Sequence, residues 1–418
     1  MRRIVLKNAR IFDGSGTPAF AGSVLVEGDR IAQVGRGSDG LIGASDAEAI
    51  DCAGATLMPG LIEAHGHLTW PSSTERFEPR FMLPPEEMML AAARNARILL
   101  DHGFTSVFSA GALGERIEVV LRDEFARGGL PGPRLLASTI ERSPEGADGI
   151  ETGKKLSIGE GPEAMRAFVR RCKDLGIDTV KLVLSGEDQL LPGSSQHILY
   201  REDEVAAACE TAHGLGMRVA AHTQAAEAVK IALRSGVDVL YHCTHADAEA
   251  LDMLEAHRDR IFMAPAVGVL VGTMEANPPP HIDMSSMKAY AEPAIAMTRE
   301  LVPELKRRGV RVLPGGDYGF PFNPNGTNAR DLEHFVTLYG FTPAEALSAA
   351  TMVGGQLMGM GGELGLIRSG YIADLLLVNG DPTADVSILQ DKANIRAIMQ
   401  AGVFHKAPAE APARFGVA

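Results

Sequence analysis

Residues 218–243, RVAAHTQAAEAVKIALRSGVDVLYHC, hold the pattern that decides the fold of this chain. An apolar run at 218–223 is followed by a stretch with helical periodicity, and a second apolar run begins at residue 237. This alternation is typical of parallel strands that are covered by helices on their outer face. Both runs also end near a histidine, His222 in the first and His242 in the second.

The same unit recurs along the middle of the chain. The apolar runs are TLMPGLIEAH (56–65), TSVFSAG (105–111), PRLLAST (133–139), DTVKLVL (178–184), RVAAHT (218–223), VDVLYHC (237–243), IFMAPAV (261–267) and RVLPGGD (311–317). Eight strand-then-helix units over about 300 residues predict an α/β fold of the (β/α)8 TIM barrel type. A doubly wound open sheet is the alternative, but no GxGxxG motif follows any of these runs.

Short alternating runs at both ends of the chain predict a second, all-β unit. They are IVLKNARIF (4–12), SVLVEGDRIAQVG (23–35), GLIRSGYIADLLLVNGD (365–381) and NIRAIMQAGVFHK (394–406). We therefore expect residues 1–57 and 359–406 to form a small composite β-sandwich domain beside a barrel of residues 58–358. Residues 407–418, rich in Ala and Pro, are expected to be a flexible tail.

The composition excludes several classes of partner. Of the 418 residues, 45% are hydrophobic and 22% charged, as in an ordinary globular enzyme. The formal charge of −13 disfavours nucleic acid and anionic membrane surfaces. The opening MRRIVLKNARIFDGSG lacks the apolar core of a signal peptide, so we expect a cytoplasmic protein. The four cysteines lie far apart and predict neither disulfides nor a thiolate zinc site.

Polar residues at the ends of the predicted strands indicate where the chemistry lies, because barrel active sites form at the C-terminal ends of strands. The residues are His65, His67, Lys181, His222, His242 and Asp317. An HxH pair alone is a weak signal, although the period of two places both imidazoles on one face of a strand. Together with the other strand ends it predicts a divalent metal site, for which zinc is the default and manganese, cobalt or iron are suitable.

Lys181 is the unusual member of this set, because an ammonium group beside a metal ion would be repelled and costly to bury. If carbon dioxide carboxylates the amine, the resulting carbamate can bridge two ions roughly 3.5–4 Å apart. The alternative is a lysine that forms a salt bridge with Glu187 or Asp188 in the following loop. The first case gives two metal ions and the second gives one.

These motifs resemble the amidohydrolase superfamily, in its branch of imidazolonepropionase-like proteins and Xaa-Pro dipeptidases (prolidase type). The resemblance covers nearly the whole chain. It rests on LKNARIFDG (6–14), MPGLIEAHGH (58–67), VKLVLSG (180–186), the 218–243 stretch, GGDYG (315–319) and the segment from Phe341 to Pro382.

The resemblance implies a binuclear centre and a mechanism. One ion would be bound by His65, His67 and Asp317, and the other by His222 and His242. A carboxylated Lys181 and a hydroxide would bridge the two ions. The hydroxide would attack the scissile carbonyl, and Asp317 would pass its proton to the leaving nitrogen. Relatives of this kind also suggest a homo-oligomer.

The chain departs from the dipeptidase pattern after the third predicted strand. Those enzymes commonly carry Gly-Gly-His there, whereas this chain has STIERSPEGADG (138–149) without a histidine. His245 could supply a catalytic imidazole instead, or it could be a surface residue at a helix start. Tyr200 and Arg201 match a position where similar enzymes hold a substrate carboxylate, although packing at a helix start explains them equally well.

The loops that follow the strands suggest the substrate. Trp70 with Phe77, Phe81 and Met82 would overhang the site from one side, and Met274, Met284 and the prolines 278–280 from the other. Such walls suit a small molecule with an apolar or aromatic group. After Asp317, a Pro/Asn/Gly-rich turn leads to a helix whose N-cap is predicted at Thr327 or Asn328.

The sequence thus predicts a metal-dependent amidohydrolase that cleaves a carbon–nitrogen bond of an amide, peptide or carbamate-like substrate. A phosphotriesterase or lactonase is the nearest enzymatic alternative, because the same kind of centre serves those reactions. A catalytically inactive binding protein is the alternative of another class. A deaminase is disfavoured because no motif supplies the additional acid/base glutamate that it generally needs.

Overall fold

The computed structural model describes residues 2–37, 46–71, 83–138, 140–141, 160–189, 191 and 193–411. Its strands are β1 (Arg3–Ile11), β2 (Phe20–Glu27), β3 (Arg30–Arg36), β4 (Glu48–Asp51), β5 (Thr56–Pro59), β6 (Leu61–Gly66), β7 (Phe104–Ser109), β8 (Arg134–Leu136), β9 (Thr179–Val183), β10 (Arg218–Ala225), β11 (Val239–His245), β12 (Phe262–Ala264), β13 (Leu375–Val378), β14 (Ile395–Gln400) and β15 (Val403–Lys406).

The two ends of the chain meet in one mainly antiparallel sheet of eight strands. Its order is β15-β14-β13-β5-β1-β2-β3, and β4 pairs with β1. The antiparallel pairing of β13 with β5, with Leu376 opposite Met58, joins the C-terminal strands to the N-terminal ones. Alternate residues bury one face, which is why these short runs could be recognised as strands. Ala407 and Ala411 also pack on this core, so the predicted tail does not begin at residue 407.

Parallel strands form the middle of the molecule. One sheet has the order β6-β7-β8 and another the order β12-β11-β10-β9. An isolated parallel bridge between Ser138 and Thr179 connects the two sheets, and another links Met263 of β12 to Val312, which lies outside both sheets. Gly66 and Tyr318 form a third bridge. The eighth predicted run, 311–317, forms no regular strand and contributes one isolated bridge, at Val312, which corrects the prediction of a strand there.

Helices follow the parallel strands. They are α1 (Pro85–Asp101), α2 (Ile117–Arg127), α3 (Pro162–Leu175), α4 (Glu202–Gly214), α5 (Ala226–Ser235), α6 (Ala248–Ala256), α7 (Val267–Glu275), α8 (Ser285–Arg307), α9 (Arg330–Tyr339), α10 (Pro343–Ser348) and α11 (Gly354–Leu357). A π-helix at Ala349–Val353 joins α10 to α11, and a 3-10 helix lies at Val386–Gln390. None of the helices in the described part of the chain is long and apolar enough to cross a membrane.

The unit β10-α5-β11 shows how the sequence specifies this arrangement. Ala228, Val229 and Ala232 form the fully buried face of α5 and pack into the main core. Gly236 then ends the helix in the left-handed region, at φ 97°, and returns the chain to β11. Because β10 and β11 are parallel neighbours, His222 and His242 arrive at the same edge of the sheet. The four cysteines are buried and free.

Candidate metal centre

A cavity that is partly open to solvent lies at the carboxyl ends of the parallel strands. It brings together all six residues that the strand-end pattern predicted. The lining consists of His65, His67, Trp70, Glu141, Lys181, Val183, Glu187, Gln189, His222, His242, Met287, Asp317 and Phe320. The six strand-end residues therefore lie together in the structure, as the sequence pattern predicts.

His65, His67 and Asp317 form the first cluster of donor atoms. Oδ1 of Asp317 lies 3.0 Å from Nε2 of His67 and 3.6 Å from Nε2 of His65. His242 joins them, since one ligand atom each from His65, His242 and Asp317 lies within 4.8 Å of the others. His67 is oriented by its second nitrogen, Nδ1, which lies 3.0 Å from the carbonyl oxygen of Gly111.

His222, His242 and Glu187 form the second cluster, again with ligand atoms within 4.8 Å of one another. The rings of His222 and His242 are 4.3 Å apart. Nε2 of His222 lies 3.2 Å from the carbonyl oxygen of Gly186, a distance at which an Nε2–H would donate and leave the other nitrogen as an acceptor. His242 thus stands between the two clusters.

The backbone is strained at two of these positions. His242 has φ 70° and Asp317 has φ 60°, in the left-handed region that L-residues with bulky side chains seldom adopt. In β11 this conformation breaks the strict alternation of side chains. Tyr241 consequently stacks on His65 at 3.8 Å while its neighbour His242 also faces that ring, at 5.6 Å. The strained backbone is what brings His242 into the cavity.

Lys181 is buried beside the clusters, with 2% of its side chain exposed. Its Nζ donates to the carbonyl oxygen of Ala110 at 2.8 Å and lies 3.7 Å from Oε1 of Glu141. It also lies 4.8 Å from the centre of the Tyr241 ring. The expected alternative partners, Glu187 and Asp188, do not pair with it; the acidic partner among the described residues is Glu141.

Burial sets the protonation of most of the donor atoms. It lowers the pKa of His65 and His222 well below the ordinary value and that of His242 to about 4, so that these rings are neutral. Burial opposes ionisation of Asp317, but the neighbouring imidazoles still hold the pKa of this carboxyl far below its usual range. For His67 the Asp317 carboxylate outweighs burial and raises the pKa.

These residues fit a divalent metal ion. In the described part of the chain, Oδ1 of Asp317 is buried and has no well-aligned hydrogen-bond partner. Buried polar atoms are seldom left unpaired, so this oxygen, which faces Nε2 of both His65 and His67, is available to an ion. Neutral imidazoles and a carboxylate are ligands that zinc and similar ions prefer.

Buried side chains behind the clusters hold them in place. Asp331 of α9 accepts hydrogen bonds from the Gly315 amide at 3.0 Å and from the Tyr318 hydroxyl at 2.9 Å. It thereby fixes the turn on both sides of Asp317. A Cβ added to Gly316 would lie 2.5 Å from Oδ1 of Asp331, so this turn requires glycine.

A second buried carboxylate supports the HxH pair. Glu63 accepts from the His65 amide at 2.8 Å and from Nδ2 of Asn328 at 2.7 Å. Burial raises the pKa of Glu63 to about 7. Asn328 is therefore tied to β6 and does not cap the following helix, whose N-cap is Ala329. The prediction of Thr327 or Asn328 as the cap was wrong.

Aromatic residues line one side of the cavity. Trp70 stacks on His67 with ring centres 4.3 Å apart, and Phe320 meets Trp70 edge-on at 4.6 Å. The methionine in the lining is Met287, whereas Met274 and Met284 are not among the lining residues. Phe77, Phe81 and Met82 fall outside the described residues.

Three predicted site residues lie away from the cavity lining. Tyr200 is buried in the main hydrophobic core. Arg201 is the N-cap residue of α4 and forms ion pairs with Asp203 and Glu204. His245 ends β11 half-buried, and burial lowers its pKa. The structure therefore does not bring these three side chains to the metal ligands.

Sequence reasoning missed Glu141, Gln189, Met287 and Phe320 and considered Glu187 only as a partner of Lys181. Glu141 lies within 138–149, the stretch after the third predicted strand that lacks the histidine of the dipeptidases. Gln189 lies in the loop after β9 and Met287 in the first turns of α8, and neither position carries a motif.

Comparison with known proteins identifies the family. Residues 56–404 match the model of the Amidohydrolase family. An ochratoxinase from Aspergillus niger is 24% identical over 389 residues, which cover 85% of this chain and 77% of that protein. An imidazolonepropionase from Vibrio cholerae serotype O1 is 26% identical over 393 residues, which cover 87% of this chain and 88% of that protein.

Among solved structures, a Xaa-Pro dipeptidase with methionine bound in its active site superposes with a TM-score of 0.84. It is 25% identical, and the match covers 97% of this chain and 100% of the dipeptidase. The resemblance inferred from the motifs is thus confirmed, and this chain belongs to the amidohydrolase family.

Proposed function

We propose that this chain is a metal-dependent hydrolase that cleaves a carbon–nitrogen bond in a small substrate carrying an apolar or aromatic group. The observation that carries the proposal is a cavity in which histidine and carboxylate donors converge beside aromatic side chains. The bond is of the amide, peptide or carbamate type. Relatives named ochratoxinase, imidazolonepropionase and Xaa-Pro dipeptidase support a hydrolase of small molecules.

The ligands divide between two ions. His65, His67 and Asp317 would hold the first, and His222 and His242 the second, with zinc as the preferred metal and cobalt or manganese as substitutes. Carboxylation of Lys181 by carbon dioxide would add a ligand shared by both. When bound, the ions supply Lewis-acid polarisation of the scissile carbonyl and a water activated at neutral pH.

The chain's own residues handle the proton and the substrate. Asp317 is ionised, so its carboxylate can accept the proton of the attacking water and deliver it to the leaving nitrogen. Trp70 and Phe320 exclude water from one side and offer flat apolar surfaces to the substrate. His245, Tyr200 and Arg201 lie outside the lining and have no assigned step.

We also infer that the parallel strands close into the predicted (β/α)8 barrel, with the composite sheet as its small β-sandwich domain. The three isolated bridges support closure, because together they link β8 to β9, β12 to Val312, and Tyr318 back to β6. A barrel accounts for the convergence of strand ends in one cavity.

A substrate panel tests the proposed function. The zinc-loaded protein would be assayed with an N-acyl amino acid or anilide, a small polar amide, an aromatic lactone and an aryl phosphotriester. We expect the apolar amide to have the highest kcat/KM and activity to disappear after chelation and return with zinc. Asp317→Asn should lower kcat by roughly 10²–10⁴-fold.

Faster turnover of the lactone or the phosphotriester would favour the alternative hydrolase class. A preference for small polar amides would refute the apolar specificity. If the zinc-loaded protein has its full metal content but turns over no compound in a wide panel, the result would favour the inactive binding protein.

A further inference from the structure

Glu187 is a carboxylate in the cavity lining that has no step in the proposed function. It follows β9, lies outside any helix or strand, and its side chain is 12% exposed. No motif marks it, and it is not one of the strand-end residues. A largely buried carboxylate is costly unless a partner compensates its charge, so the groups around Glu187 indicate what it can bind.

Neutral neighbours hold the Glu187 side chain in place. Its Oε1 accepts from the Gln189 amide at 3.0 Å, and its Oε2 accepts from Nε2 of Gln224 at 2.8 Å. Gln224 is held in turn, because its amide donates to Oγ of Ser185 at 2.8 Å. A carboxylate has about four acceptor positions, so these two bonds orient Glu187 and leave acceptor positions for a further donor.

Glu187 lacks a cationic partner in the described part of the chain. None of the described lysine or arginine side chains forms a salt bridge with it, and the basic group beside it is Nε2 of His222, at 3.8 Å. Burial lowers the pKa of His222 well below its ordinary value, so this ring is neutral. Burial also raises the pKa of Glu187 to about 7, and a cation bound beside the carboxyl would lower that pKa again.

Glu187 lies next to the metal ligands without being needed among them. Nε2 of His222 is 3.2 Å from the carbonyl oxygen of Gly186, and a hydrogen on this nitrogen donates there and leaves Nδ1 for an ion. Glu187 therefore lies beside the nitrogen of His222 that is not offered to the ion. The ligand set proposed above, with a carboxylated Lys181, stays unchanged, and Glu187 is free to contact a substrate.

The rest of the cavity lining favours a cation over an anion. The described residues of the lining include no arginine, and Lys181 is the one lysine among them. Glu141 adds a carboxylate, with Oε1 3.7 Å from Nζ of Lys181. Carboxylation would make Lys181 anionic as well. A substrate carboxylate would thus meet no free cationic side chain in this part of the lining, whereas a substrate amine would meet Glu187.

We infer that Glu187 is a specificity-determining residue that binds a positively charged amine of the substrate. Because its neighbour His222 is a proposed metal ligand, the amine would lie close to the scissile carbonyl, while Trp70 and Phe320 receive the apolar group. The inference rests on the proposed function and names its substrate class. That class is amides with a free amine near the carbonyl and an aromatic or apolar side chain.

Two matched pairs of compounds test the inference on the zinc-loaded, full-length chain at pH 7. The substrates are phenylalanine anilide and 3-phenylpropionanilide, which differ only in the amine. The ligands are 2-phenylethylamine and 2-phenylethanol, whose binding is measured by calorimetry and needs no turnover. The proteins are the wild type, Glu187→Gln and Asp188→Asn. Asp188 is the matched control, because its carboxylate binds the amide and hydroxyl of Ser195 and does not line the cavity.

We expect the wild type and the control to prefer the amine in both pairs by at least about tenfold, in kcat/KM and in Kd. Glu187→Gln should weaken kcat/KM and Kd for the amines by about 10–100-fold, since a hydrogen bond between two charged groups is lost. The values for the two neutral compounds and the zinc content should stay unchanged.

Equal weakening of the amine and its neutral analogue in Glu187→Gln, or loss of zinc from this variant, would overturn the inference, because Glu187 would then act on the metal centre or the fold. Wild-type protein that binds the alcohol as tightly as the amine, or binds neither, would also overturn it. If neither anilide is turned over, the proposed function is in question and calorimetry still decides the inference. Should circular dichroism show that Glu187→Gln does not fold, the wild-type preference for the amine over the alcohol decides.

Discussion

Asp331→Asn should loosen the turn that holds Asp317 in its strained conformation. Asp331 is 1% exposed and accepts from the Gly315 amide and the Tyr318 hydroxyl, one on each carboxylate oxygen. The asparagine side chain of the variant keeps one acceptor oxygen and leaves one of the two buried donors unpaired, at a cost of about 1–3 kcal/mol. The left-handed backbone of Asp317, at φ 60°, costs a similar ~1–3 kcal/mol to maintain.

The cost of the unpaired donor and the cost of the left-handed backbone are comparable, so the turn in the variant can relax and move the Asp317 carboxylate. Residues that hydrogen-bond to metal ligands usually contribute 10–100-fold to the affinity for the metal, which corresponds to about 1.4–2.7 kcal/mol. We therefore expect a 10–100-fold weaker first zinc ion, measured by chelator competition, and a lower free energy of unfolding in urea. Glu333→Gln is the control, because it makes the same change of charge on α9 and Glu333 bonds to Gln390, away from the turn. Zinc affinity within twofold of the wild type, with unchanged unfolding, would refute the reasoning.

Three other perturbations have defined outcomes. Burial raises the pKa of Glu118 to about 7 from 4.5, so the stability it contributes is complete below pH 4.5 and is lost as the pH rises through 7. That loss is roughly 3 kcal/mol in size. Urea unfolding at pH 5 and pH 8 should show a loss of stability in Glu118→Gln that is smaller than the wild-type loss by about this amount, because other buried carboxyl groups such as Glu63 titrate in both proteins. Equal losses in both proteins would contradict the assignment. Trp70→Ala removes the ring that lies between His67 and Phe320. It should lower kcat/KM for an aromatic substrate by about 10–100-fold and leave kcat/KM for a small aliphatic substrate unchanged. Competition assays with the two substrates would show the difference. Chelation should lower Tm by several degrees, because zinc at 100 times its Kd stabilises the folded state by about 2.7 kcal/mol, and an unchanged Tm in calorimetry would count against a bound ion.

The sequence was most informative where the period of the strands fixed both the position and the direction of a side chain. His65, His67 and His222 stand at the ends of parallel strands, and parallel strands bring their carboxyl ends to one edge. The pairing of the two chain ends could also be predicted, because alternate residues of their short runs bury one face in a common core.

Other parts of the site depend on conformations that the pattern does not encode. Strict alternation would put Tyr241 and His242 on opposite faces, and only the left-handed backbone of His242 brings both to His65. The run 311–317 has the sequence pattern of a strand but pairs only through one isolated bridge, at Val312. Glu187 and Glu141 lie in loops, where the path of the chain decides which side chains reach the cavity.

The metal content of the purified full-length chain, measured by mass spectrometry after growth with zinc, tests the central claim most directly. The account predicts about two divalent ions per chain, and loss of the first when His65 and His67 are both replaced by alanine. Wild-type protein that is folded and carries no stoichiometric metal would contradict it.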